Sequence, residues 1–295
     1  MCAMILREMD LIDEIKFVHP KDVQDGKVEI TDNDITTNLP FDPRVGLAFD
    51  HHESELIRVS REKYADKYII EPHAKSAARV VYNYYGGAAA LPRISEEIME
   101  AVDKGDSADF TLDEILNPKG WVLMNFIMDA RTGLGRFHDF RISNYDLMMQ
   151  LIDYCVQNPV EDVLALPDVK ERVDLYFEQQ ELFKEQIGRI AKMEDRVVVL
   201  DLRNEDTIYA GNRFMIYAMY PEAEISVHVA GGFRKQNTAV MIGKSIINRS
   251  SDVNIGELCL KYGGGGHANA GTCQLENDMV DAALPDIVAA LNGQG

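Results

Sequence analysis

The sequence predicts a two-domain α/β protein, in which a parallel-sheet domain is joined by a helical connector to a smaller α/β domain. The chain has 295 residues, 46% of them hydrophobic, which is enough to bury two cores. Strand-like and helical segments alternate in the first half, a long charged helical segment follows, and strand-like segments separated by glycines come last. We therefore predict domains over residues 1–167 and 194–295, with the connector over residues 168–193.

The first domain is predicted from alternating segments. Residues 1–9 carry apolar side chains at helical spacing, and residues 15–18, 34–39 and 45–49 have the composition of strands. Helices are predicted over residues 74–85, where Gly86 and Gly87 end the pattern, over residues 92–102, and over most of residues 111–155. Strands that alternate with helices in this way favour a parallel sheet.

The connector and the second domain differ in pattern. Residues 168–193 are highly charged and have apolar side chains at helical intervals, which is typical of a surface helix. Strands are predicted over residues 197–200, 225–229 and 239–242, with Gly231 and Gly232 between the last two.

Composition limits the classes of function. The net charge of −19 gives the chain no general attraction for nucleic acid or anionic membranes, so clustered Arg and Lys side chains or a bound metal would have to supply cations for any phosphate ligand. No apolar run approaches the roughly 20 residues that span a bilayer, so we expect a cytoplasmic protein without membrane association. The four cysteines form no CxxC pair, which argues against a zinc ribbon or a disulfide framework and favours inert thiols.

The first candidate site is Asp50-His51-His52, which directly follows the apolar segment 45–49. Ligands bind at strand ends in open α/β sheets, and carboxylates with imidazoles suit manganese, or magnesium where carboxylates dominate. The alternative is a structural or surface histidine pair.

Further ligands for such a site have two sources. Asp103 and Asp106 follow a predicted helix and flank a glycine, although an ordinary acidic helix end would look the same. Asn38 ends the predicted strand 34–39 with a neutral amide.

The second candidate site is the run of four glycines before His267. Consecutive glycines allow backbone N–H groups to converge on an anion, and the adjacent imidazole can donate a hydrogen bond to a phosphate oxygen. A flexible hinge is the alternative, but the residues on either side lack the composition of a linker. Arg249, upstream of this motif, could bind a phosphate bidentately, or could equally be a surface arginine in a turn.

Together these motifs resemble the DHH phosphoesterase superfamily, whose members combine the Asp-His-His signature with a C-terminal substrate domain that carries a GGGH motif. Here the signature is Asp50-His51-His52, and Arg249-Ser250 matches the RS element of the family. The GGGH motif is Gly264, Gly265, Gly266 and His267. The resemblance covers nearly the whole chain and is strongest to the exopolyphosphatase-related and oligoribonuclease-like branch.

The resemblance implies a mechanism with two divalent ions, usually manganese and alternatively magnesium, that activate a water for in-line attack on phosphorus. By position, His51 would be a metal ligand, Asp50 would support it, and His52 would face the scissile phosphate. The last metal aspartate would be Asp106, with Asp103 as the competing choice. The resemblance also implies phosphate-binding roles for Arg249, Ser250, Gly264, Gly265, Gly266 and His267.

Two features differ from the family pattern. The first motif of the family, a strand followed by His-x-Asp-x-Asp at a helix start, is absent, and residues 1–9 look like the continuation of that helix. The bridging aspartate aligns best with Asn38, or in another register with Asp32 or Asp34, and an amide binds a divalent ion less well than a carboxylate. The first difference would be explained if the natural chain begins upstream of Met1, which we favour. A degenerate enzyme that has lost its metals is the alternative, and Asn38 supports it.

A basic segment over residues 131–141 stands out in this acidic chain. It contains three arginines, His138 and two phenylalanines, and we single out Arg131 and Arg136 as substrate-binding candidates. Arginines interleaved with aromatic side chains can hold a single-stranded oligonucleotide, but ion pairs with nearby acids are an equal alternative.

The sequence thus predicts a metal-dependent phosphoesterase that acts on a small anionic polymer in a cleft between the domains. A short oligonucleotide is the first substrate considered and polyphosphate the second, with homodimer formation left open. The competing hypothesis is a catalytically impaired nucleotide- or RNA-binding or regulatory homologue.

Overall fold

A computed structural model describes residues 1–52, 55–60, 62–137, 140–232 and 235–293, with only the backbone described for Ile57 and Arg58. The helices are α1 Cys2–Glu8, α2 Pro20–Gln24, α3 Glu55–Arg58, α4 Ala77–Tyr84, α5 Gly87–Ala90, α6 Glu96–Ser107, α7 Leu112–Leu116, α8 Gly120–Met128, α9 Asn144–Gln157, α10 Val160–Ala165, α11 Pro167–Ile190, α12 Met215–Met219, α13 Ile255–Lys261 and α14 Val280–Leu291, with 3₁₀ turns at Glu62–Tyr64, Ala130–Thr132 and Leu134–Arg136. The strands are β1 Ile35–Thr37, β2 Leu47–Asp50, β3 Tyr68–Ile70, β4 Ala191–Glu194, β5 Val197–Asp201, β6 Ile225–Gly231, β7 Thr238–Lys244, β8 Gly265–His267 and β9 Ala270–Leu275.

The chain forms two compact units. The first comprises Met1–Asp109, Gly120–Asn125 and Ile142–Leu166, and the second comprises Phe110–Lys119, Phe126–Arg141 and Pro167–Gly295. Residues 110–119 and 126–141 therefore group with the second unit, although the sequence places them before the connector. Neither unit has, among its described residues, a helix long and apolar enough to cross a membrane.

The first unit contains a parallel sheet of β1, β2 and β3 in that order, which confirms the predicted parallel α/β class. Strand β2 is central and buried, with Phe49 only 1% exposed. Helices α1, α4 and α6 contribute Ile5, Val80 and Met99 to the core that contains Phe49. Because all three strands run the same way, their carboxyl ends lie at one edge of the sheet.

In this unit, one predicted strand does not form and one observed strand was not predicted. The strand predicted over residues 15–18 is wrong: this segment pairs with no strand in the described chain, and the carbonyl of Ile15 instead accepts a hydrogen bond from the Tyr145 hydroxyl at 3.2 Å. Phe17 packs edge-on against the Tyr145 ring, so an apolar run here serves a loop contact. Strand β3 was not predicted, because three residues are too few to show a two-residue alternation.

The second unit contains a six-stranded sheet in the order β4-β5-β6-β7-β9-β8. Strands β5 and β6 are parallel, and the other neighbours are antiparallel. The predicted strands 197–200, 225–229 and 239–242 are confirmed within β5, β6 and β7. One face of the sheet packs on α13 and α14 through Val227, Val240 and Cys273, which belong to a single buried cluster. The alternate residues of the same strands therefore form the opposite face.

Helix α11 confirms a helix over most of residues 168–193, but it is more than a surface helix. Arg172 and Tyr176 are fully buried, and three glutamines of the helix are buried as well. The Arg172 guanidinium donates to the carbonyl of Asp168 at 2.7 Å and stacks over the Phe140 ring at 4.1 Å, while burial lowers its pKa. The charged composition of the segment concealed this polar interior. Residues 191–193 begin β4 instead of ending the helix.

Candidate active site

The carboxyl edge of the parallel sheet brings the signature motif and Asn38 into adjacent strands. Thr37 pairs with Phe49, and the backbone N–H of Asn38 donates to the Phe49 carbonyl at 2.9 Å. Asn38 therefore lies in the position next to Asp50. Asn38 has a left-handed backbone with φ of 57°, which short polar side chains adopt more readily than most. On the other side of β2, the Glu71 amide donates to the Asp50 carbonyl at 3.1 Å.

Asp50 and His52 form a hydrogen-bonded pair. Asp50 is 1% exposed, and its Oδ1 lies 2.7 Å from Nδ1 of His52 and accepts the His51 backbone N–H at 2.8 Å. The pKa of His52 is raised, first by this hydrogen bond, which outweighs the opposing effect of burial. Asp50 therefore fixes the ring of His52 and favours its protonated form, whereas its hydrogen bond to His51 is to the backbone N–H.

His51 is held by a different contact. Its Nδ1 lies 3.0 Å from the Ala74 carbonyl, which can only accept, so Nδ1 carries the proton and Nε2 presents a lone pair in the neutral ring. Nε2 is buried without a hydrogen-bond partner among the described residues, yet lies 3.2 Å from Oδ2 of Asp106. The pKa of His51 is raised, first by this neighbouring carboxylate, against burial.

This arrangement fits one divalent ion in part. A buried imidazole nitrogen without a hydrogen bond and an adjacent carboxylate oxygen form a donor pair that manganese accepts. A group of three or more His, Cys, Asp and Glu side chains placed to hold a metal does not occur in the described ranges. His51 and Asp106 would therefore hold an ion whose remaining ligands come from other groups, such as water or substrate.

Asp103, the competing choice for the metal aspartate, is engaged elsewhere. It is buried, and its carboxylate accepts hydrogen bonds from Oγ of Ser76 and Nε of Arg79, both at 2.7 Å. Ser76 caps the N-terminus of α4, so Asp103 links α6 to the start of α4. The structure thus places Asp106, and not Asp103, beside His51.

Cys2 is a neighbour of this site that no sequence motif singles out. Its thiol lies close enough to the Thr37 side chain and the Asp106 carboxylate for both to affect its pKa, which burial raises. It is therefore a protonated thiol at neutral pH. Nothing in the sequence places the first turn of α1 against the end of β1, because that proximity arises only from packing.

The glycine motif lies in the second unit, at an edge of its sheet. Gly265 to His267 form β8, which pairs with β9. A Cβ on Gly264 would lie 2.2 Å from the Thr272 carbonyl, and one on Gly266 would lie 2.3 Å from the Ala270 carbonyl. A Cβ on Gly265 would meet nothing within 4 Å. Two of the glycines are thus required by close packing on β9, and Gly265 has an open side that an anion could approach.

Substituting these glycines with alanine should separate the two roles. Gly264→Ala forces β8 away from β9 and is expected to lower the free energy of unfolding by about 1–3 kcal/mol. Gly265→Ala, the matched control, should change it by less than about 0.5 kcal/mol because its Cβ has space. Urea denaturation of both variants measures the difference. Equal stabilities would show that Gly264 is not required by packing.

Arg249 and Ser250 belong to the loop that leads into α13. Nε of Arg249 donates to the Ile246 carbonyl at 3.0 Å, and Oγ of Ser250 donates to Oδ1 of Asn248 at 2.7 Å. The loop approaches the glycine motif through the start of α13, where the Ile255 amide donates to the Ala268 carbonyl at 3.2 Å. The sequence elements RS and GGGH are therefore parts of one local structure.

The basic segment is only partly available to a ligand. Nε of Arg131 is paired with Asp129 at 2.8 Å, while its side chain remains 63% exposed. Arg136 folds back towards the Tyr209 carbonyl, 3.4 Å away, and burial lowers its pKa. His138 lies outside the described residues. Arg213, which the sequence did not single out, lies 3.7 Å from the same Asp129 carboxylate.

Comparison with solved structures shows a close similarity to a phosphodiesterase. PggH, a pGpG-specific phosphodiesterase from Vibrio cholerae, is 55% identical to this chain, with a TM-score of 0.85, and the match covers 100% of this chain and 95% of PggH. No protein-family model matches the chain, and no curated protein does.

Two further solved structures are distant. An exopolyphosphatase-related protein from Bacteroides fragilis is 13% identical, with 84% of this chain and 63% of the other covered and a TM-score of 0.44. A DHH-domain member of the s1p family of ribosomal proteins is 12% identical, with 97% and 74% covered and a TM-score of 0.48. Neither similarity is high enough to bear on function.

Proposed function

Because this chain belongs to the DHH phosphoesterase superfamily, we propose that it is a phosphodiesterase that hydrolyses short 5′-phosphorylated oligonucleotides, with pGpG as its first substrate. The observation that carries this proposal is 55% identity over the full length of the chain to an enzyme specific for pGpG. The hydrogen-bonded pair of Asp50 and His52 supplies chemistry that suits the reaction.

In this proposal His52 handles the proton of the reaction. Its Nδ1–H is donated to Asp50, so the proton that His52 gains or loses is the one on Nε2. Hydrolysis of a phosphodiester releases a ribose oxygen that needs a proton, and an imidazolium whose pKa is raised by a buried carboxylate can donate it. The same positive charge attracts the scissile phosphate.

The metal site is proposed to involve His51 and Asp106. A divalent ion bound between them, which we expect to be manganese, would neutralise phosphate charge and lower the pKa of a water molecule. His51 is prepared for this role because the Ala74 carbonyl fixes its tautomer, as carbonyls commonly do for metal-binding histidines.

The second candidate is a nucleotide-binding homologue without turnover. It is favoured by the amide of Asn38 at the sheet edge and by the small number of metal-binding side chains among the described residues near His51. The loop around Gly265, if it binds phosphate as we propose, would serve this function equally well.

Hydrolysis of pGpG by the purified chain tests the proposal. With manganese present we expect conversion to GMP, measured by chromatography, and much slower cleavage of pApA and of polyphosphate. Calorimetric titration with pGpG gives the binding constant independently. Binding without cleavage would favour the nucleotide-binding homologue, and neither binding nor cleavage would exclude both.

A further inference from the structure

The face of the second sheet that does not pack on α13 and α14 has an unusual charge distribution. Register places one set of residues on this face: Ser226, His228 and Ala230 of β6, Ala239, Met241 and Gly243 of β7, Ala270, Thr272 and Gln274 of β9, and Gly265 and His267 of β8. No carboxylate occurs in this set, although the chain carries 49 acidic residues and a net charge of −19. At these positions the face therefore places no carboxylate in the way of an anion.

Part of the face is covered by α12. The Tyr217 hydroxyl contacts Oγ of Ser226 at 2.7 Å and donates to the Gly243 carbonyl at 2.8 Å, which fixes α12 over the start of β6 and the end of β7. The strands beyond remain open, with Met241 39% exposed and Thr272 also exposed. Arg213 lies in the turn before α12, at the border of the open part.

Arg213 has an incomplete set of partners. Its Nε is buried without a hydrogen bond in the described part of the chain, 3.7 Å from Oδ2 of Asp129, although the side chain as a whole is 36% exposed. Its guanidinium stacks on the Phe214 ring at 4.2 Å, which holds it in place. Burial, and after it the charge of Arg131, lower its pKa to about 10, so it stays charged at neutral pH.

Arg131 shares the Asp129 carboxylate, so two guanidinium groups face one acid. His228 lies beside them, and its pKa is lowered to about 4 by burial and by Arg213, which leaves it neutral. The Arg213 cluster, defined as Arg131, Arg213, Asp129 and His228, therefore carries one net positive charge at the border of a surface without acids.

The cluster is separated from the glycine motif by a measurable span. His228 pairs with Met241, Met241 with Thr272, and Thr272 with Gly265, so one row of residues crosses four strands. Three inter-strand spacings give about 14 Å between the ends of the row. A single phosphate group cannot contact both ends of this row, but a dinucleotide can.

We propose that the Arg213 cluster is a second anion site that binds a phosphate group of the oligonucleotide, while the substrate lies along the row from His228 to Gly265 and contacts Met241. This inference rests on the proposed function. The site is separate from Arg249 and the GGGH motif, which would take the other end of the ligand.

Four variants of the full chain, one of them a control, test the site with pGpG as the probe. Arg213→Gln should raise both KM and the calorimetric Kd for pGpG at least about 10-fold, the loss expected for a charge-assisted hydrogen bond, with kcat little changed. Arg213→Lys should restore part of the affinity. Met241→Glu places a carboxylate in the exposed row and should also raise KM, without burying a charge. Lys192→Gln, an exposed lysine of β4, removes the same charge elsewhere and should leave KM unchanged.

The outcomes separate this inference from the proposed function. If the unmodified chain neither binds nor cleaves pGpG, the proposed function fails. If it binds pGpG and both Arg213→Gln and Met241→Glu bind equally well, the second anion site is wrong and the phosphodiesterase proposal stands. A loss in Lys192→Gln as large as that in Arg213→Gln would show a general charge effect and would also refute the site.

Discussion

Replacing His52 with alanine is expected to lower kcat for pGpG by about 10²–10⁴-fold, the loss that follows removal of a general acid or base. His52 is the side chain whose ring is fixed by a buried carboxylate and whose pKa that carboxylate raises. The KM should change much less, because the side chains of the second unit that we propose to bind phosphate are untouched.

Asp50→Asn tests whether His52 acts through its partner. The amide can offer an N–H where Oδ1 now accepts one, which would turn or re-tautomerise the His52 ring. We expect a loss in kcat of about 10–100-fold, typical of a residue that orients a functional histidine. Tyr68→Phe is the control, because it removes a long hydrogen bond of 3.4 Å to the other Asp50 oxygen and should cost much less.

Steady-state kinetics and circular dichroism on His52→Ala, Asp50→Asn and Tyr68→Phe test whether His52 acts in the reaction and depends on Asp50. The expected order of loss is His52→Ala, then Asp50→Asn, then Tyr68→Phe, with native spectra throughout. A His52→Ala variant that retains near-normal kcat would remove His52 from the proposed chemistry. Losses of equal size in Asp50→Asn and Tyr68→Phe would indicate a damaged fold around Asp50.

The sequence predicted the class of fold and several of the long elements, because these follow from local patterns, but it did not predict α14 or β9. The helix that ends near Ile190 and the strands β5 to β7 show their periodicity over several turns or pairs. Short elements were missed: β3 and β8 have three residues each, and β8 consists of residues that read as a loop. The false strand at residues 15–18 shows the reverse error, since an apolar run alone does not reveal its partner.

The candidate site was predicted in its residue types but not in its pairings. The sequence selected Asp50-His51-His52 and left Asp103 and Asp106 as alternatives, because composition cannot distinguish two aspartates three positions apart. Both were predicted to follow a helix, and both lie within α6. Packing decides between them: Asp103 faces Arg79, and Asp106 faces His51. Arg213 escaped notice because its relation to Arg131 depends on a contact across 82 positions of the chain, from 131 to 213.

The metal proposal leads to a second large effect, in Asp106→Asn. Oδ2 of Asp106 lies 3.2 Å from a buried ring nitrogen of His51 that has no hydrogen bond in the described chain. If the two side chains share a divalent ion, loss of the carboxylate charge should weaken manganese binding by at least about 10–100-fold, the range that even supporting residues of a metal site show. Calorimetric titration with manganese measures this directly, without reference to turnover.

Asp103→Asn is the matched control, because it removes an equal charge three positions away on the same helix. Its carboxylate serves Ser76 and Arg79, so the expected result is unchanged manganese affinity and a free energy of unfolding lowered by about 1–3 kcal/mol. Asp106 is less buried, so Asp106→Asn should show the opposite pattern, with weak metal binding and nearly unchanged stability.

If Asp103→Asn loses the metal and Asp106→Asn retains it, the assignment of His51 and Asp106 as the metal ligands is wrong. If both variants and the unmodified chain bind manganese equally weakly, the result supports the nucleotide-binding homologue without turnover. The side-chain amide of Asn38 would then be one reason, because it leaves the sheet edge with too few carboxylates to hold the metal.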